Sequence, residues 1–97
     1  GTMMDNTLVV YLSDAADQHH AKGYEWPIIV IGDLGGRLKT ANRYLRYPWH
    51  GQTGHRTVAN FYTSLLHAVG DPRKRFGLPD LTLQDIDQEG PLTELLA

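Results

Sequence analysis

Asp5-Asn6-Thr7-Leu8-Val9-Val10-Tyr11-Leu12-Ser13-Asp14 is the stretch on which the reading of the fold turns. Its middle is β-branched, aromatic and almost unbroken in apolarity, the pattern of a strand covered on both faces. Asp5-Asn6 supplies a turn ahead of it, after a polar lead-in. Ile28-Ile29-Val30-Ile31 has the same character, and Pro27 opens it at a position where a missing N–H costs no ladder bond. Strands apolar on both faces need a layer on each side. Against that demand the chain offers one convincing helix. Val58, Phe61, Tyr62, Leu65, Leu66 and Val69 recur at helical spacing, which predicts a helix over 55–70. Thr53 or Thr57 is placed to cap its start, Gly70 suits a left-handed C-terminal position, and Asp71-Pro72 prevents continuation. On this spacing Phe61 and Leu65 face the sheet and Ser64 faces solvent.

The fold class is therefore α/β, with two buried strands and one main amphipathic helix in a single segment, 1–97. The shortage of covering layers predicts a piece of a larger α/β domain. The partner covering the sheet is then the remainder of a parent chain or a second copy in a homo-oligomer. Between the main elements, residues 13–26 read as a loop with one helical turn. Gly32-Asp33-Leu34-Gly35-Gly36 reads as a turn cluster, and Arg37–Thr40 as a short extended piece. Residues 41–54 form an irregular aromatic and basic connection that packs its rings on the body. A basic turn at 73–75, a short helix after Thr82 and a Leu-rich end complete the chain.

Composition narrows the chemistry. Hydrophobic residues at 41% and charged residues at 21% describe a globular chain and argue against disorder or a coiled coil. The absence of Cys excludes disulfides, thiol catalysis and Cys-ligated metal centres. A net charge of −2 supplies no global attraction to nucleic acid, and no apolar run approaches the ~20 residues of a membrane span. No nucleic acid or membrane partner is expected, and any export signal is expected outside these residues. The charge is unevenly spread: residues 1–36 carry −4, 37–75 carry +7 and 76–97 carry −5. A basic middle between acidic ends either binds an anion or is neutralised by the ends on folding.

The densest candidate site is Ser13-Asp14-Ala15-Ala16-Asp17-Gln18-His19-His20, directly after the first strand. Ligands gather beyond the carboxyl ends of strands in open α/β sheets, and carboxylate oxygen with imidazole nitrogen suits a borderline divalent ion such as zinc. Asp14, His19 and His20 are the candidate metal ligands, although adjacent His on an extended loop normally diverge. The alternative is a polar loop in which Asp14 caps a turn. Gly54-His55-Arg56-Thr57 opens the helix, where free amides and the positive dipole end favour anions, or where Thr simply caps. No Gly-x-Ser-x-Gly elbow, P-loop or His-Glu-x-x-His pair is present, so the residues show no complete catalytic set.

The run Asp5–Asp14 resembles the "D-x-T-hydrophobic-S-D" strand of the alkaline phosphatase and sulfatase superfamily. The following order is also similar: a polar His-bearing loop, Trp26-Pro27 opening a strand, a Gly-rich turn, and a helix ending Ala68-Val69-Gly70. Gly35-Gly36-Arg37-Leu38-Lys39, Arg43-Tyr44-Leu45-Arg46-Tyr47-Pro48, Phe76-Gly77 and Gly90-Pro91-Leu92 resemble the C-terminal part of an uncharacterised bacterial family, a domain of unknown function related to that superfamily. The resemblance implies the C-terminal part of an alkaline-phosphatase-like three-layer sandwich. It implies a metal-dependent hydrolase of phosphate or sulfate esters, exported to the periplasm or beyond, whose nucleophile lies upstream. Asp14 with His19 or His20 would hold zinc, calcium or manganese, and Lys22, His55 or Arg56 would meet the anion. Ala15 stands where superfamily phosphatases carry a metal-binding His, which leaves a non-catalytic scaffold or binding module of the same fold as the alternative.

Overall fold

The computed structural model describes residues 1–12, 27–49, 52–78 and 88–97. Among the described residues it is a small mixed α/β chain built from two strands and one α-helix, with short 3-10 turns at Met3–Asn6 and Thr93–Leu95. The two apolar runs form strands, β1 (Val9–Leu12) and β2 (Ile28–Ile31). They pair antiparallel, with Val9 opposite Ile31, Val10 opposite Val30, Tyr11 opposite Ile29 and Leu12 opposite Ile28.

Within this chain only one face of the sheet is covered, and the second layer expected from further polypeptide or a second copy is not among the described residues. Side chains alternate across a strand, and the register places Val10, Leu12, Ile28 and Val30 on one face and Val9, Tyr11, Ile29 and Ile31 on the other. The first face is half-buried; on the second, Tyr11 is 69% and Ile29 57% exposed. Both faces are equally apolar in sequence, so composition alone could not reveal that only one is covered. The described residues supply a layer for that face alone.

Helix α1 (Val58–Ala68) begins where Thr57 caps it. The Thr57 hydroxyl accepts from the Asn60 amide at 3.3 Å, and the Asn60 side-chain oxygen accepts from the Thr57 amide at 2.8 Å. This reciprocal box satisfies donors that the first helical turn leaves open. Gly70, at φ +86°, takes the left-handed position after the helix, as the sequence leads one to expect.

The buried side of α1 is not its apolar stripe. Asn60, Thr63 and Ser64 are fully buried, with Phe61 and Ala68 beside them, whereas Val69 is 54% exposed and Leu65 only half-buried. The expected solvent exposure of Ser64 is therefore reversed. At about 100° per residue, the centre of the buried face lies roughly a third of a turn from that of the apolar stripe. The cause is what lies against it. The C-terminal segment, 88–97, crosses α1 as a largely irregular strap, and its backbone polar groups need partners. Asn60 Nδ2 donates to the carbonyls of Glu89 at 3.1 Å and Gly90 at 3.0 Å. Ser64 Oγ accepts from the Leu92 amide at 2.6 Å and donates to the Asn60 carbonyl at 2.8 Å. Small polar side chains are what a helix must present to a strap of this kind.

The strap closes the core. Leu92 and Leu95 bury beside Leu38, Phe61 and Ala68, and Val10, Ile28 and Val30 of the sheet pack against that cluster. Leu38 and Leu96 form a single antiparallel bridge, flanked by Lys39 N donating to Leu95 O at 2.8 Å and Ala97 N donating to Arg37 O at 3.1 Å. The turn at Gly32–Gly36 fits under the 3-10 turn of Met3–Asn6: Gly35 N donates to Asp5 O at 2.8 Å. A Cβ on Gly32 would stand 2.2 Å from the Thr7 carbonyl oxygen, so the chain can pass there only as glycine.

Candidate functional site

Asp14, His19, His20 and Lys22, and the short helix expected after Thr82, lie outside the described residues. β1 ends at Leu12, so Ser13-Asp14 follows directly from the carboxyl end of that strand. Because the pairing is antiparallel, that end lies beside the start of β2, with Leu12 opposite Ile28. Among the described residues no three His, Asp or Glu side chains gather closely enough to hold a metal ion.

His55 and Arg56 stand side by side in the approach to α1, both half-buried. His55 Nδ1 lies 2.8 Å from the Pro48 carbonyl oxygen, which only accepts, so Nδ1 carries the proton. Arg56 Nη2 donates to the Pro91 carbonyl at 3.1 Å. These bonds tie the helix entry to the 41–49 arm on one side and to the strap on the other.

Beside them lies a cluster that sequence reasoning did not assemble. The Tyr47 hydroxyl donates to Glu94 Oε2 at 3.0 Å, and Arg43 Nη1 donates to the Glu94 carbonyl at 2.6 Å and to the Lys39 carbonyl at 2.9 Å. Burial, then the hydrogen bond and charge of Glu94, push the Tyr47 phenol up to about 12, while the guanidinium charges of Arg56 and Arg43 pull the other way. Two arginines, a phenol and a carboxylate thus share one neighbourhood. Arg43 and Tyr47 sit in a block noticeable for its aromatic and basic character. Their partner Glu94 is 51 and 47 residues away, respectively, and no local pattern announces it.

A second basic feature follows the helix. Arg73 Nε is 3.1 Å from Asp71 Oδ2, and Arg75 Nη1 is 3.6 Å from Glu89 Oε1. With Lys74, Leu66 and Phe76 these groups line an open cleft of about 710 Å³. The Phe76 ring lies 5.0 Å from that of Tyr62, which itself tilts against Phe61 at 5.7 Å. The Arg73–Asp71 and Arg75–Glu89 ion pairs are exposed enough for water to screen them, so they contribute little.

No helix among the described residues is long and apolar enough to cross a membrane. No family model matches the chain, and neither the curated proteins nor the solved structures compared with it give a match.

Proposed function

We propose that the chain is part of a metal-dependent hydrolase-like protein acting on phosphate or sulfate esters, and that it is inactive alone. The observation that carries this reading is the end of β1 at Leu12, which Ser13-Asp14 follows directly in the sequence. Asp14 with His19 or His20 would hold the divalent ion, zinc being the best match to nitrogen and oxygen donors, with calcium or manganese as alternatives. Such an ion supplies Lewis-acid polarisation of an ester oxygen. Lys22, His55 and Arg56 would meet the anionic group of the substrate. The bare outward face of β1 and β2 fits a layer contributed by further polypeptide, as in an alkaline-phosphatase-like sandwich, or by a second copy.

A second reading has its own observation. His55 and Arg56 are both engaged on backbone carbonyls, which suits a scaffold or binding module that has kept the fold and not the chemistry.

Zinc titration of the chain, followed through the His ring signals, separates the two. The hydrolase reading expects selective shifts of His19 or His20 that disappear in Asp14→Ala, and weaken below about pH 6 as imidazole is protonated. Responses confined to His50, His55 or His67 would favour the scaffold. Chromogenic phosphate and sulfate esters should show no turnover with the chain alone, whether zinc, manganese or calcium is added. Metal-dependent turnover surviving repurification and lost in Asp14→Ala would refute the claim that it is inactive alone.

A further inference from the structure

We propose that Arg43, Tyr47 and Arg56 form an oxyanion-binding site for a phosphate or sulfate group, and that the Glu94 carboxylate is its internal competitor. The site lies where the 41–49 arm, the entry to α1 and the C-terminal strap meet. Three donors, two from the arm and one from the helix entry, reach two residues of the strap, Pro91 and Glu94. Arg56 Nη2 reaches Pro91 O at 3.1 Å, Arg43 Nη1 reaches Glu94 O at 2.6 Å, and the Tyr47 hydroxyl reaches Glu94 Oε2 at 3.0 Å. Arg43 uses one nitrogen of its planar fork in these bonds, and a guanidinium carries five N–H donors suited to tetrahedral and carboxylate oxyanions.

The Glu94 carboxylate occupies the Tyr47 hydroxyl, while Arg43 and Arg56 bond backbone carbonyls close by. An anionic oxygen accepts from the phenol while two guanidinium charges act on the same neighbourhood. Two arginines and one carboxylate leave a formal charge of +1, and a phosphate carrying −1.5 to −2 near neutral pH complements the arginines better than a carboxylate does. An incoming oxyanion would take the Tyr47 hydroxyl from Glu94, whose side chain is exposed and can swing into solvent. Because the site is open to water, binding should be weak and salt-sensitive. The inference shares only Arg56 with the function proposed above, and it stands even if no ester is ever hydrolysed.

Amide NMR spectra of the full chain, titrated with inorganic phosphate at fixed ionic strength and without metal, test it. Saturable shifts are expected at 43–47, 55–57 and 91–95. Glu94→Gln keeps an acceptor for the phenol but removes the competing charge, and should tighten binding by about threefold, the scale of one exposed charge pair. Tyr47→Phe should weaken it. Phenyl phosphate binding more tightly than inorganic phosphate identifies an ester as the ligand, and equal binding identifies the free anion. Shifts that fail to saturate, that are as large at Arg73–Arg75, or that are unchanged in affinity by Glu94→Gln overturn the proposal.

Discussion

Replacing Ser64 by Ala removes one oxygen from a helix position that sequence periodicity assigns to solvent, and the structure predicts a clear loss of stability. Ser64 is 0% exposed, and its Oγ is the hydrogen-bond partner of the buried Leu92 amide at 2.6 Å. Alanine leaves that N–H without a partner, and an orphaned buried donor costs about 1–3 kcal/mol. Alanine's better helix propensity returns about 0.5 kcal/mol. The net loss is therefore about 0.5–2.5 kcal/mol, which in a chain of this size lowers Tm by roughly 2–20 °C. Urea unfolding measures it directly, with the exposed Thr53→Ala as a control expected to stay within about 0.5 kcal/mol. The denaturant slope should be unchanged, because the surface exposed on unfolding is unchanged. Equal midpoints for the two variants would refute the buried-face assignment. So would a loss unaccompanied by faster hydrogen exchange at the Leu92 amide.

Three further outcomes are expected. Phe61→Ala should cost about 3–5 kcal/mol, since the ring is buried in the core, whereas half-buried Leu65→Ala should fall below the ~2 kcal/mol floor of fully buried leucines; both are read by urea unfolding. Gly32→Ala and Gly36→Ala each face the left-handed backbone penalty of about 1–2 kcal/mol, but only the first meets a carbonyl oxygen, so Gly32→Ala should be the more damaging in thermal melts. The neutral Tyr47 phenol is favoured in the fold, with its pKa raised from the ordinary 10 to about 12, so its contribution is intact below pH 10 and lost as pH rises towards 12. Phenolate absorbance should show this late titration moving down in Glu94→Gln, and Tyr47→Phe should flatten the alkaline loss of stability.

The elements that were legible in the sequence are those specified by neighbours along the chain. β1 and β2 follow from β-branched runs, the ends of α1 from Thr57 and Gly70, and the turn at Gly32–Gly36 from its glycines. What the sequence hid depends on contacts between distant segments. Nothing local to Ser64 or Asn60 indicates that an irregular strap will lie across them, because the strap's demand is for backbone partners and its side chains carry no trace of it. The sheet's one-sidedness is hidden for a related reason: Tyr11 and Ile29 are as apolar as Val10 and Val30, and only the surrounding layers decide which pair is covered. His55 and Arg56 lie just ahead of α1, where the sequence put them. Arg43, Tyr47 and Glu94 were not legible as a group, since the cluster exists only once residue 94 returns to the arm.

The strap also changes how the strength of the core should be judged. Residues 88–97 lie in their groove much as a bound peptide would, anchored by Leu92 and Leu95 and aligned by Asn60, Ser64 and Lys39. Because the same chain supplies both peptide and groove, the groove is presented at an effective concentration on the order of millimolar. An affinity that would be feeble between separate molecules is then enough to keep it filled. The groove has no need of extensive apolar contact, and a helix face made of Asn, Thr and Ser can serve as a core wall.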